Sequence, residues 1–180
     1  MDFTKLLNSV NSLEEKYPPV HLWNPDLCEG VEMKIDREGN WFYQGSIIGR
    51  ENLKILFSRI LKFEQGNYYL VTPVEKVLVN VDIAPYMIID YEVDSNNEKI
   101  ILKTNLDLSI PLDKDHGLEL KSVGDENIPF VQVRDKIEGF ISRSIYYSLI
   151  DIALNQNNGS SDQLILKSFD CLFILGEISD

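Results

Sequence analysis

The chain has 180 residues, 44% of them hydrophobic and 26% charged, which is enough apolar material for one domain with a real core or for two small ones. Its formal net charge of -12 argues against a protein that coats a nucleic acid polymer or an anionic membrane, since nothing would balance the phosphates. A few local arginines can still hold a small anion.

Phe3, Leu6, Leu7, Val10 and Leu13 recur at helical spacing over residues 3–16 and predict an amphipathic helix, ended by Pro18-Pro19 because proline cannot continue the ladder. The segment Pro18-Pro-Val-His-Leu-Trp-Asn-Pro25 is extended and rigid. It has two readings: a recognition segment presenting His21, Trp23 and Asn24 to a ligand, or a connector whose Trp23 plugs the core and whose Asn24 caps a turn. Both Trp23 and Trp41 are expected to be largely buried, at least one of them where the connector meets the first hairpin.

Val31, Met33 and Ile35 alternate with Glu32, Lys34 and Asp36, the mark of a strand with one buried face. Arg37-Glu-Gly-Asn40 supplies turn residues, and Trp41-Phe-Tyr43 returns as the second strand of a hairpin. After Gly49 the period changes. Leu53, Leu56, Phe57, Ile60 and Leu61 share one helical face, which predicts a helix over residues 51–64, stopped by Gln65-Gly-Asn67.

Four strands follow, 68–72, 75–81, 85–93 and 99–104, with Asp94-Ser-Asn-Asn-Glu98 as the turn between the last two. Shorter alternating runs lie around Leu106 to Ile110, Leu118 to Lys121 and Phe130 to Val133. Ile137 to Gln156 predicts the third long helix, and Leu164 to Ile178 one or two closing strands.

The chain also resembles itself. Val31-Glu-Met-Lys34 matches Leu118-Glu-Leu-Lys121 at an offset of 87, and Arg50 and Ser58-Arg59 match Arg134 and Ser142-Arg143 at an offset of 84. The expected fold is therefore α+β, a duplication in which each half has an antiparallel sheet and one long helix. The expected domains are 1–81, with the N-terminal helix and connector, and 82–180.

The arginines carry most of the chemical information. There are five, and Arg50, Arg59, Arg134 and Arg143 stand at the repeated positions. A guanidinium presents a planar fork suited to carboxylate or phosphate, and Arg50 and Arg134 are expected at helix entries, where the backbone dipole also favours an anion. In so acidic a chain the same residues could instead pair internally with Asp and Glu. Enzyme readings fare worse. His21 and His116 lack partners at metal spacing, so no metal is expected, and Gly39, Gly45 and Gly49 form no phosphate loop. Cys28 and Cys171 have no paired spacing and read as small hydrophobes in a reducing cytoplasm. No apolar run reaches the roughly 18 residues of a membrane span, and Met-Asp-Phe-Thr-Lys shows no leader pattern.

Pro18-Pro-Val-His-Leu-Trp-Asn-Pro25, Gly39-Asn-Trp-Phe-Tyr-Gln-Gly-Ser46, Ile48-Gly-Arg50, Leu56-Phe-Ser58 and Tyr69-Leu-Val-Thr-Pro-Val-Glu-Lys76 together resemble the bacterial domain-of-unknown-function family 1285. Ala84-Pro-Tyr86 and Leu172-Phe-Ile-Leu-Gly176 continue the match, while Ile47, Ile83 and Cys28-Glu-Gly30 depart from it. The resemblance implies two related α+β domains, the second pleckstrin-homology-like, with a nucleotide-like ligand held at the inter-domain interface in signal transduction. The expectation is a non-catalytic module without cofactors that binds a small anionic, nucleotide-like ligand through Arg50, Arg134, Arg59 and Arg143, with His21, Trp23 and Asn24 from the connector. The alternatives are a small hydrolase or transferase, or an adaptor with a protein partner or a second copy.

Overall fold

The computed structural model describes residues 18–94, 96, 98–156 and 163–177. The helix expected over residues 3–16 lies outside them. The chain divides into two compact units, Met1–Pro85 and Tyr86–Asp180. No helix among the described residues is long and apolar enough to cross a membrane.

The first unit opens with a 3-10 turn, Val20–Leu22. Strands β1 (Met33–Ile35) and β2 (Trp41–Tyr43) form the expected hairpin, pairing Met33 with Tyr43 and Ile35 with Trp41. Asp36 makes its turn: Oδ1 accepts hydrogen bonds from the backbone N–H of Glu38 at 3.0 Å and of Asn40 at 2.7 Å. β3 (Ser46–Ile47) folds back through a two-residue turn with positive φ at both Gln44 and Gly45. Helix α1 (Glu51–Arg59) then leads to β4 (Leu61–Glu64), β5 (Asn67–Val71) and β6 (Lys76–Val81). The sheet order is β3-β2-β1-β6-β5-β4, with β1 parallel to β6 and every other pair antiparallel. Phe57 of α1 buries itself against Trp41, ring centroids 6.3 Å apart, and Met33, Ile35, Leu61, Leu70, Val77 and Val79 complete the core.

The helix is shorter than its apolar spacing predicts. Leu61 and Phe63 fit a period of two as well as one of 3.6, and Leu61 pairs with Leu70 across an antiparallel ladder. Gln65 (φ 51) and Gly66 (φ 84) do not stop a helix; they make the tight hairpin turn between β4 and β5.

The second unit contains β7 (Tyr86–Val93), β8 (Ile100–Thr104), β9 (Ser109–Pro111), β10 (Leu118–Val123), β11 (Glu126–Arg134) and β12 (Ile137–Ile141), in the order β10-β11-β12-β7-β8-β9. Here β12 is parallel to β7. Helix α2 (Arg143–Gln156) and the hairpin of β13 (Gln163–Ser168) and β14 (Cys171–Glu177) follow. The expected helix over 137–156 therefore loses its first turn and more to β12. Ile137-Glu-Gly-Phe-Ile141 follows a two-residue turn and pairs with β11, so tertiary pairing overrides a helical periodicity. A long helix in each half is thus not what forms: α1 has 9 residues and α2 has 14.

The duplication is real, but its correspondence is not the one the letters give. Each unit is two three-stranded meanders joined by a parallel pair of its first and last sheet strands: β1 with β6, and β7 with β12. The letter match aligns β1 with β10, an inner strand with an edge strand. By topology β1 corresponds to β7 and β4 to β10. In the second unit Gly139 sits on this parallel seam. A Cβ there would lie 3.1 Å from Cβ of Tyr86 and 3.2 Å from its carbonyl oxygen, so glycine permits the close approach of the two strands.

The link from β9 to β10 also shapes the second unit. Crossing a flat six-stranded sheet would take about 24 Å, close to the limit of an extended link of this length. Instead the link Leu112–Gly117 is folded by the Asp113 carboxylate, which accepts from the N–H groups of Asp115 and His116, each at 3.0 Å, and approaches His116 Nδ1 at 2.9 Å. The sheet must curl to bring its edges together. The β13–β14 hairpin packs on β10 and also reaches β8, where Ile100 N–H donates to Ser168 Oγ at 3.0 Å.

Candidate functional site

Helix α1 starts without a side-chain cap among the described residues. Arg50 occupies its N-cap position with φ -87 and ψ 111 and makes no side-chain capping hydrogen bond. The carbonyl of Arg50 accepts from Leu53 and Lys54 N–H, while the N–H groups of Glu51 and Asn52 have no acceptor among the described residues. A helix start carries partial positive charge, so placing a guanidinium there is unfavourable for the fold alone. Arg50 has no ion pair among the described residues that would offset this, and Glu51 is engaged by Lys54 at 2.6 Å.

Beside that helix start lies a pocket of about 440 Å³, lined by Tyr43, Ser46, Ile47, Ile48, Gly49, Arg50 and Leu53. Its wall is mostly apolar, with Ile47 61% exposed on its two-residue edge strand. Tyr43 and Ser46 add hydroxyls. This combination of an apolar wall and one guanidinium at an open helix end is suited to an organic anion.

The other expected site residues do not gather here. Arg59 ends α1, roughly 13 Å along the axis from Arg50 at 1.5 Å per residue, and is half-buried. His21 and Asn24 are exposed and Trp23 is half-buried. Their segment is tied to β4, where Lys62 Nζ donates to the Trp23 carbonyl at 3.2 Å. That is the opposite edge of the sheet from β3. Trp41 is fully buried, as expected.

In the second unit, Arg134 ends β11 and enters a hairpin, not a helix. Its Nη1 pairs with Asp135 Oδ2 at 3.2 Å, and its Nε lies 3.5 Å from the Tyr86 hydroxyl. Arg143, not Arg134, is the arginine at a helix start, as the first residue of α2; it is exposed and has no ion pair among the described residues. The shared local setting is therefore Arg50 with Arg143.

Several ionisable groups serve the fold. Glu64 receives Lys76 and, at 3.2 Å, Lys62, and these two bonds hold its carboxyl below the usual range. Lys76 also lies 4.3 Å from the Tyr69 ring centroid. The network is hidden in the sequence because Lys62 falls in a run of helical spacing, although it lies on β4. Partial burial pulls the Asp113 carboxyl upward, but the bonds from the His116 ring and from two backbone N–H groups outweigh it and hold it low. Among the described residues no group of three His, Cys, Asp or Glu side chains could hold a metal ion. The pocket residues other than Arg50 were also unmarked in the sequence. The available signal was Gly49 beside an apolar Ile47-Ile48, a glycine that no turn demands.

The molecule is thus a duplicated two-unit protein built on two six-stranded sheets, with an open, arginine-marked pocket in its first unit. The chain belongs to the DUF1285 family: residues 18–84 match the N-terminal domain of unknown function of that family and residues 85–175 its C-terminal domain. It is similar to the crystal structure of a DUF1285 family protein from Silicibacter pomeroyi DSS-3, at 35% identity over 96% of this chain and 95% of that one, with a TM-score of 0.80. It is also similar to one from Shewanella baltica OS155, at 26% identity over 69% of this chain and 94% of that one, with a TM-score of 0.56. No curated protein matches the chain.

Proposed function

We propose that this protein is a non-catalytic binding module for a small anionic organic ligand of nucleotide-like size, and that it acts as a ligand sensor in signalling. The observation that carries the reading is Arg50. A guanidinium without an ion pair among the described residues stands at an uncapped helix start and lines a pocket of about 440 Å³. That volume falls in the range of small-molecule sites, about 300–1,000 Å³. The anion would receive charge-assisted hydrogen bonds from Arg50 and from the first N–H groups of α1. In the second unit, the curled sheet and the helix that follows it favour a pleckstrin-homology-like plan.

A thermal-shift screen over mono- and dinucleotides tests the reading. A ligand at 100 times its dissociation constant stabilises by about 2.7 kcal/mol. Arg50→Ala removes a bond worth about 1.5–3 kcal/mol, weakening affinity by about tenfold or more. If Arg50→Ala lowers the melting temperature while leaving every affinity unchanged, the arginine is structural and the reading fails.

A second reading, an adaptor, draws on one observation: Leu172 and Ile174 stand exposed on the outer face of β14. Under it, Leu172→Glu would abolish binding of a protein partner or a second copy, measured by light scattering or partner titration, and would leave ligand binding intact.

A further inference from the structure

We infer that the pocket beside α1 takes a singly charged amphiphile, an anion whose charge sits on one group and whose body is apolar, rather than a polyphosphate. This rests on the proposed anion site and narrows its ligand. The charge count is the first argument. Among the described residues that line it Arg50 is the one cation, and the lysine on the helix, Lys54, is bound to Glu51 at 2.6 Å. A group carrying several negative charges would meet one guanidinium and the adjacent Glu51 carboxylate, so its second and third charges would lose water without gaining a partner.

The body of the ligand is set by the wall. Ile47, Ile48 and Leu53 line the pocket, and Ile47 remains 61% exposed although it is a large aliphatic residue in a strand. Covering such surface is favourable in proportion to its apolar area.

Gly49 supplies the independent observation. Its φ lies outside the left-handed region, and a Cβ added there would meet nothing within 4 Å among the described residues. Neither a left-handed φ nor packing against the described residues calls for glycine at this position. Gly49 is exposed and lines the pocket between Ile48 and Arg50, so the missing side chain leaves the mouth of the pocket open there. Gly45, by contrast, has φ 73 and is explained by its turn.

The test uses the full chain and three probes: 2-naphthoate, with one charge on an apolar body; 2-naphthol, the same body without the charge at neutral pH; and ATP, with several charges on a polar body. Titration calorimetry with wild type, Arg50→Gln and Gly49→Val reads the dissociation constants. Naphthoate is expected to bind roughly ten- to a hundredfold more tightly than naphthol, the worth of a charge-assisted bond, and more tightly than ATP. Arg50→Gln should bring naphthoate down to the naphthol value. Gly49→Val should abolish both without lowering the melting temperature, since the added methyls fill open space. ATP binding more tightly than naphthoate, and dependent on Arg50, overturns this inference while the anion site stands. Naphthoate and naphthol binding equally, or binding unaffected by both variants, overturns the inference and the proposed site together. Failure of all three probes to bind does the same.

Discussion

Replacing Trp41 separates the two things that this side chain does. It is fully buried on β2, stacked on Phe57 at an interplanar angle of 29°, and its indole N–H has no hydrogen-bond partner among the described residues. The ring contributes core volume, while the orphaned donor costs stability. Truncation to alanine loses the transfer energy and opens a cavity, about 3–5 kcal/mol for a buried tryptophan. Truncation to phenylalanine keeps most of the contact with Phe57 and removes the donor. An unsatisfied buried donor costs about 1–3 kcal/mol, which offsets much of the lost area. Trp41→Phe is therefore expected within about 1 kcal/mol of wild type. Urea unfolding followed by far-ultraviolet circular dichroism measures both variants. With an m-value of about 1–3 kcal/mol/M, Trp41→Ala shifts the midpoint by about 1 M or more, and Trp41→Phe by much less. Equal losses in the two variants, with unchanged m, would show that the indole nitrogen is satisfied and refute the argument.

Gly139→Ala drives a methyl into Tyr86 at the parallel seam, and overpacking of this kind costs about 1–3 kcal/mol; differential scanning calorimetry should show a lowered transition, and an unchanged one would mean the strands part freely. Asp113 has a folded-state carboxyl held below its ordinary value of 3.8. Its contribution is thus fully present above that value and lost as pH falls through the lowered one. Asp113→Asn should reduce the steepness of acid unfolding below about pH 4, and an unaltered acid limb in equilibrium melts would count against the pinning role of this carboxylate.

The hairpin β1–β2 could be read from the chain because alternation, turn residues and an aromatic return strand all agree from Val31 to Tyr43. The two helices could be read only in part. Leu53, Phe57 and Ile60 obey the helical period, yet so does Leu61, which belongs to a strand because Leu70 lies opposite it. Gln65-Gly66 is a weaker hairpin signal than Asn-Gly, although its two positive φ angles do the same work. Ile141 likewise fits the helical face of Ile145 and Leu149, and only pairing with β11 and β7 assigns Ile137 to Ile141 to β12. Arg50 was found because arginine is scarce and stands beside a glycine and a change of period. Its pocket was not, since cavities form where three-dimensional packing leaves space. The matching of Arg50 with Arg134 followed letters, whereas the shared setting of Arg50 and Arg143 depends on where the helices start.

The parallel seam within each unit has a consequence for synthesis on the ribosome. Met33 pairs with Val79, and Tyr86 with Gly139, so the first strand of each sheet waits for the last. Neither sheet can be completed by a growing prefix of its own strands, and non-local pairing of this kind slows folding. Yet every strand partner of the first sheet lies before Pro85. Once Val81 has left the exit tunnel, that sheet has all its strands, while the second is still being made. Two long-range problems are solved one after the other, and the hydrophobic strands of one copy need never search among those of its sibling.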